Sequence, residues 1–420
     1  MNPFSNQIED VFPDTVLISE ERNLALEQLS KTEFPNPEQE VWRYSKIFNL
    51  DLESLTPSFN NPVDEKTVPS FLDAKESNLV SISDGWLKSS VFLESSKGYV
   101  GSLANMDTGL THIEKYLDKP KDFFDFLNRS YNPETLVIHV PDGVTLDSPI
   151  YVKVQTVTAG QVACPRIVVN LGENSEAKIV EHHLSNNSES LTVPVLDAHI
   201  GQNSRLKHCV IQNLGEKTWQ VSKQNFQLEK DSYVEMFTAA FGGNYARSEI
   251  RCELKGRGSE AYSAAAYFGN GKQTLDFRTF QKHEAPDTTS KLLFKGALDG
   301  DSRSIYSGLI KVLPEAVRTK AQQTNRNIKL SENAWAESVP NLEIETNDVV
   351  CNHASTVSGI DEEQLFYLES KGIETSVAER LIVAGFFDEV ISRADDPLLV
   401  KEIDFIMTEV LENRFRTQGE

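Results

Sequence analysis

The sequence predicts a mostly β chain, a parallel β-helix between an N-terminal helical region and a C-terminal helical domain. Three observations predict it. From about Asn132 to Ile360, short runs rich in Val, Ile, Tyr, Phe and Thr alternate with Gly, Asn, Asp and Ser turns, uninterrupted by any long helical pattern. Within that stretch a polar turn recurs at a nearly constant interval. On either side of it the texture is helical. These limits divide the chain into 1–131, mainly helical, 132–360, the β-helix core, and 361–420, the helical close.

Glu20 to Lys31 has the spacing of a short helix, with Leu24, Leu26 and Leu29 as its apolar positions and Pro35 and Pro37 ending it. A second helical segment runs from about Glu38 to Leu50 and carries Trp42, Tyr44 and Phe48. Thr56 to Glu65 is rich in Pro, Ser and Asn and reads as a linker. Lys115 to Ser130 has helical spacing again, around Phe123, Phe124, Phe126 and Leu127.

In the β segment, Gly172-Glu-Asn-Ser-Glu-Ala177, Gly201-Gln-Asn-Ser-Arg-Leu206, Glu229-Lys-Asp-Ser-Tyr-Val234 and Gly256-Arg-Gly-Ser-Glu-Ala261 share one turn-then-strand shape. Their serines stand at 175, 204, 232 and 259, spaced 29, 28 and 27 residues apart. Gly300-Asp-Ser-Arg-Ser304 and Ser331-Glu-Asn-Ala-Trp335 read as later members with longer gaps. A β-helix coil hides its apolar face only by stacking on its neighbours, and a turn at this interval is what successive coils require. A sandwich or barrel, with turns every ~8–12 residues, stays open as the other reading, because such turns also exist within each interval.

The last segment opens with Asp361-Glu-Glu, an acidic start that suits a helix dipole, and Lys371-Gly372 supplies a stop. Ser376 to Val390 gives a second amphipathic helix with Val377, Leu381, Ile382, Phe386 and Phe387 on its apolar side, and Pro397 opens a last one. Three short helices bury little unaided, so part of the surface formed by Phe366, Leu368, Leu381, Phe386 and Phe387 is expected to face a partner. Such a segment is a solenoid cap or a docking module.

Composition bounds the function. With 41 basic against 63 acidic residues, the net charge of −22 disfavours long-range attraction to phosphate backbones and anionic membranes, so no nucleic acid partner is expected. No stretch approaches the roughly 18–20 apolar residues of a membrane span, and Met1-Asn2-Pro3-Phe4-Ser5 does not read as a secretory signal. Four scattered cysteines (Cys164, Cys209, Cys252 and Cys351) suggest a reduced, cytoplasmic setting.

Among chemical groups, Cys351-Asn-His353 stands out. Residues two apart on a strand share a face, and thiolate and imidazole both ligate iron. His182-His183 reads as a solvated strand-end or loop pair, since neighbours on a strand face opposite ways. His208-Cys209 fails as a metal pair for the same reason. Cys164 before Pro165 reads as packed at a turn, and Cys252 as an inert strand residue. Gly269-Asn-Gly-Lys-Gln-Thr274 is not a P-loop: Ala266 holds the first glycine position and Gln273 the Ser/Thr position. No nucleophile elbow or HExxH is present, so no catalytic set is expected.

The stretch from Leu292 to Val390 resembles the SufB/SufD family of iron–sulfur cluster assembly proteins. The resemblance rests on Leu292-Leu-Phe-Lys-Gly-Ala297, Arg303-Ser-Ile-Tyr-Ser-Gly-Leu309, Gln323-Thr-Asn-Arg-Asn327, Ser338-Val-Pro-Asn-Leu-Glu-Ile-Glu345, Asn347-Asp-Val-Val-Cys-Asn-His-Ala-Ser355, Asp361-Glu-Glu-Gln-Leu-Phe-Tyr-Leu368 and Gly385-Phe-Phe. Glu40-Val-Trp-Arg-Tyr44 is similar to an aromatic–Arg motif near the start of D-type (SufD-like) members. The resemblance implies a right-handed β-helix between helical regions and a non-catalytic scaffold of the SufBCD complex. It implies pairing with a SufB-like subunit through the β-helices and docking of a SufC-like ABC ATPase on the C-terminal helices. It implies a transient Fe–S cluster at the SufB–SufD interface with none held stably by this chain alone, and admits reduced flavin in the complex. Asn325 stands where B-type members carry a persulfide-accepting cysteine, and an amide cannot take that role, so the chain reads as D-type. His353 matches the D-type histidine near the cluster-assembly site and is the metal-ligand candidate, with Cys351 beside it in the motif. A self-paired scaffold and, from another class, a β-helix carbohydrate-active enzyme are the alternatives; the latter needs placed carboxylates that the spacing does not supply.

Overall fold

Asn174, Asn203, Asp231, Gly258, Asp287 and Arg318 all adopt a positive φ, and each directly precedes a serine or threonine. Asn, Asp and Gly tolerate that left-handed conformation best, which is why the turns are written with them. The hydroxyls of Ser175, Ser232, Ser259, Thr288 and Thr319 donate to the carbonyl three residues back at 2.6–3.2 Å, closing the turn. Turns of successive coils stack closely: a Cβ on Gly201 would lie 2.7 Å from the carbonyl oxygens of Leu171 and Gly172. The repeat therefore continues through Thr288 and Thr319. The turns at Ser302 and Ser331, expected as its later members, belong to the opposite corner and lead into strands of the other sheet.

The computed structural model describes residue 4 and residues 16–62, 67–74, 78–106, 119–394 and 396–417. Two parallel sheets form a β-solenoid of about eight coils. The first runs from Thr135–Val140 through Arg166–Leu171, Val195–Ile200, Thr218–Leu228, Tyr245–Leu254, Thr274–His283 and Arg303–Val312 to Trp335–Ile344. The second runs from Ile150–Thr156 through Glu176–Ser185, Arg205–Asn213, Tyr233–Ala240, Glu260–Gly269, Thr289–Leu298 and Thr319–Lys329 to Val349–Gly359. The sandwich alternative is thereby excluded. Alternate residues of both sheets fill the lumen with Leu, Ile, Val and aromatic side chains, among them Ile179, Leu206, Phe226, Ile250, Phe277, Phe294 and Tyr306.

Sequence reading missed four N-terminal strands, one of them the two-residue Thr56–Pro57, which pairs in parallel with Gln161–Ala163 within the stretch expected as a linker. Leu79–Ser83 joins the second sheet in parallel and pairs antiparallel with Trp86–Val91, and Tyr99–Ser102 pairs antiparallel with Thr135–Val140. These antiparallel strands terminate the first coil. Helices α1 (Val16–Lys31) and α2 (Phe123–Tyr131) pack on the outer face of the first sheet, burying Leu29, Phe124 and Leu127 with Val162, Val221 and Tyr245. Leu24 of α1 is instead exposed. The expected helix at 38–50 is two short 3₁₀ turns, Glu40–Trp42 and Ile47–Asn49. Of the expected helix from Lys115, residues 115–118 lie outside the described residues, and Asp122 caps α2 through a capping box with Asp125.

Helices α3 (Glu362–Ser370), α4 (Thr375–Ile391) and α5 (Pro397–Thr417) end the described chain. Asp361 caps α3, and Gly372 supplies the left-handed stop after it. The buried face of α4 is Ala378, Val383, Phe387, Val390 and Ile391. It packs with α5 on the outer face of the second sheet, against Phe237, Ala239, Ala264, Ala266 and Ala297. Those alanines let the helices approach. The helices thus lie along the side of the solenoid and do not cover its end.

Candidate functional site

The last coil consists of Trp335–Ile344 and Val349–Gly359, and among the described residues each strand is paired along one edge only. Open strand edges are templates for further pairing. Apolar side chains also stay exposed here: Val350 is 65% accessible, Val357 43% and Leu342 39%.

His353 lies in this coil. Its Cα partner is Gln323, and Cys351 and Ser355 stand over Ala321 and Asn325 in the same register. Asn325 faces the lumen, where its amide donates to the Tyr267 hydroxyl at 3.0 Å and accepts from Asn327 at 2.9 Å. Cys351, His353 and Ser355 therefore continue the lumen-facing rows of the coil below, with no further coil above them among the described residues. His353 is exposed at the mouth of this last coil. Cys351 is half-buried, packed on Ile310, Val312, Ala316 and Ala321. Burial raises its thiol pKa, partly offset by a backbone hydrogen bond at Ala321, so the free thiol form is favoured. Among the described residues no third His, Cys, Asp or Glu joins this pair to complete a metal set.

The docking candidates separate by exposure. Phe366 is 73% and Leu381 51% accessible, while Leu368 and Phe386 are half-buried. Leu368, Leu381 and Phe386 line, with Tyr367 and Ile382, a cavity of about 830 Å³ between α3, α4 and the edge of the second sheet. Phe387 points the other way, into the core at 1% exposure. Lys295 fixes α4 to the sheet by bonds to the Phe386 carbonyl at 2.8 Å and to Glu389 at 2.6 Å.

His182 and His183 are not solvated; both are buried in mid-strand, on opposite faces. His182 Nδ1 is hydrogen-bonded to Ser70 Oγ at 2.8 Å beneath the Phe71 ring, and burial first, with the nearby His183 and Lys153, pushes its pKa down to about 3. A covering segment more than 100 residues earlier in the chain (|i−j| = 112) could not be read from local spacing. His183 faces the lumen, where it bonds Glu181 at 2.7 Å, and His208 from the next coil bonds the other Glu181 oxygen at 2.6 Å. The signal for this cluster was present: Glu181 and His183 are two apart, and the coil interval carries 181 to the neighbourhood of 208. Cys164 is buried with its thiol donating toward the Leu127 carbonyl at 3.8 Å, and Cys252 is buried beside Met236.

The comparisons with known proteins bring out one family. Residues 154–386 match the model of the SufBD core domain of the SUF system for FeS cluster assembly. An iron–sulfur cluster assembly SufBD family protein of Mycobacterium tuberculosis is 33% identical over 64% of this chain and 68% of its own length. The iron–sulfur cluster assembly protein SufD of Escherichia coli is 26% identical over 90% of this chain and 89% of its own. A chloroplastic protein of Arabidopsis thaliana, ABCI7, is 25% identical over 93% and 87%.

A two-sheet solenoid whose sequence matches this core model over more than half of the chain falls in the class of iron–sulfur cluster assembly proteins. The chain belongs to the SufBD family of FeS cluster assembly proteins. The carbohydrate-active alternative is set aside with that.

Proposed function

We propose that this chain is the D-type, non-catalytic scaffold subunit of a SufBCD complex. One observation carries the reading: two strand edges unpaired among the described residues and an exposed, lumen-facing histidine occupy the same end of the solenoid. In this reading a SufB-like partner pairs along those edges and buries their exposed apolar side chains. His353 contributes one imidazole to the nascent Fe–S cluster, the cargo of the assembly, and the partner supplies the ligands this chain lacks. Cys351 borders the site and supports His353 by packing. A SufC-like ATPase docks at the groove of α3 and α4, on Phe366, Leu368, Leu381 and Phe386, with Phe387 stiffening that surface from beneath. The reading admits reduced flavin in the assembled complex, and the setting it assigns is cytoplasmic.

The test is co-purification from the native host with native mass measurement, followed by His353→Ala. Recovery with a SufB-like chain and two SufC-like ATPases, and a several-fold fall in cluster formed per complex without loss of subunits in the variant, are expected. Recovery as a lone monomer, or an unchanged cluster yield in His353→Ala, would sink the reading. A pure dimer of this chain would replace the heteromeric partner by a second copy.

A further inference from the structure

One coil below His353, Gln323 is 1% exposed, yet neither its amide oxygen nor its amide nitrogen has a hydrogen-bond partner among the described residues. An orphaned buried amide costs stability, so an apolar residue of the same shape would serve the lumen better. The surroundings nevertheless make room for it. The amide lies over Gly308 of the opposite sheet, where a Cβ would approach both amide atoms to 2.6 Å and the Tyr306 hydroxyl to 2.5 Å. The Ser338 hydroxyl, in register with Tyr306 one coil nearer the mouth, is likewise buried and unpartnered among the described residues. Polar groups without partners thus occur in each of the last two coils, Ser338 at the mouth and Gln323 directly beneath it.

The register states what stands above them. Gln323 is the Cα partner of His353, about 4.8 Å away across one strand spacing, and both side chains project to the lumen side. An imidazole that ligates a metal through one nitrogen donates its other N–H to a nearby acceptor, which sets its tautomer and its direction. Among the described residues of the last two coils, the buried side-chain groups without partners are the Ser338 hydroxyl, on the facing sheet, and the Gln323 amide, whose carbonyl is in register with His353.

We propose that Gln323 is the positioning residue of His353: its side-chain carbonyl accepts the ring N–H when His353 ligates iron. This rests on the ligand role of His353 proposed above. The orphaned amide is then stability given up in the unliganded chain in return for a correctly oriented ligand in the assembly.

The experiment compares Gln323→Leu, Gln323→Glu and His353→Ala in the complex co-purified with its partners. Iron affinity is read by competition with a ferrous chelator, and thermal unfolding is read on each isolated chain. Gln323→Leu is expected to weaken iron binding about tenfold or more and to leave the melting temperature equal or higher. Gln323→Glu, which keeps an acceptor, is expected to restore binding to near the parent level. Parent-like iron binding in Gln323→Leu, alongside a loss in His353→Ala, overturns this inference alone. Unchanged binding in His353→Ala overturns the ligand reading and this inference with it. A fall in melting temperature of Gln323→Leu, or equal weakening in Gln323→Glu, assigns Gln323 a structural role and also overturns it.

Discussion

Glu181 is enclosed in the lumen, where burial by itself would raise its pKa. Hydrogen bonds from His183 and His208 outweigh that and hold the carboxyl down to about 2. Both carboxylate oxygens are occupied, so the charge is satisfied within the core. Glu181→Leu would leave two buried imidazole N–H groups without acceptors, and a loss of roughly 2–5 kcal/mol is expected in urea unfolding at neutral pH. The pH dependence has a definite sign. A depressed carboxyl pKa stabilises above the ordinary value of 4.5, and that increment disappears as pH falls toward 2. The gap between parent and Glu181→Leu should therefore narrow on acidification through that window. A gap independent of pH would mean that Glu181 acts by packing and not by charge.

At the level of elements, the N-terminal segment is latched to the first sheet by few contacts of high density. Arg247 stacks on Trp42 at 3.8 Å from the ring centroid and donates to the Val41 carbonyl at 2.9 Å and to Asp276 at 3.3 Å. Ser45 donates to the Tyr245 hydroxyl at 2.8 Å, and Lys223 ties down α2 through Asp122 and Asp125 at 2.6 and 2.8 Å. The Glu40-Val-Trp-Arg-Tyr44 motif is therefore an anchor. Trp42→Ala should cost about 3–5 kcal/mol locally, and limited proteolysis should cut near residue 42 while the solenoid survives. Cleavage kinetics like those of the parent would refute the latch. The same elements explain what the sequence could and could not disclose. The turn repeat was legible because a left-handed residue and a hydroxyl recur in fixed order, and Cys351–His353 was legible because strand alternation is local. The strands at 79–102 were not, because short antiparallel runs carry their pairing information in partners far along the chain. Nor was the buried face of α4: apolar residues circle that helix, so periodicity could not choose between Phe387, which is core, and Leu381, which is exposed.

Across the whole molecule, stability is distributed coil by coil, since each coil gains its burial from the two beside it. The N-terminal end is closed by the antiparallel strands Trp86–Val91 and Tyr99–Ser102. The other end has no such closure among the described residues, and α4 and α5 lie against the side of the second sheet, not over the mouth. The last coil therefore has one neighbour where middle coils have two. The net charge of −22 adds repulsion that a lone open end does nothing to relieve. Local opening should begin there, and hydrogen–deuterium exchange of the isolated chain measures it. Amides in Trp335–Ile344 and Val349–Gly359 are expected to exchange at least about tenfold faster than those in Thr218–Leu228 and Tyr245–Leu254. Adding the pairing partner should slow the last coil selectively, because edge pairing supplies the missing neighbour and leaves the middle coils unchanged. Protection of the last coil equal to that of the middle in a monomeric sample would mean that the end is stable by itself. Edge pairing would then lose its driving force, and the exposed position of His353 would no longer mark an interface.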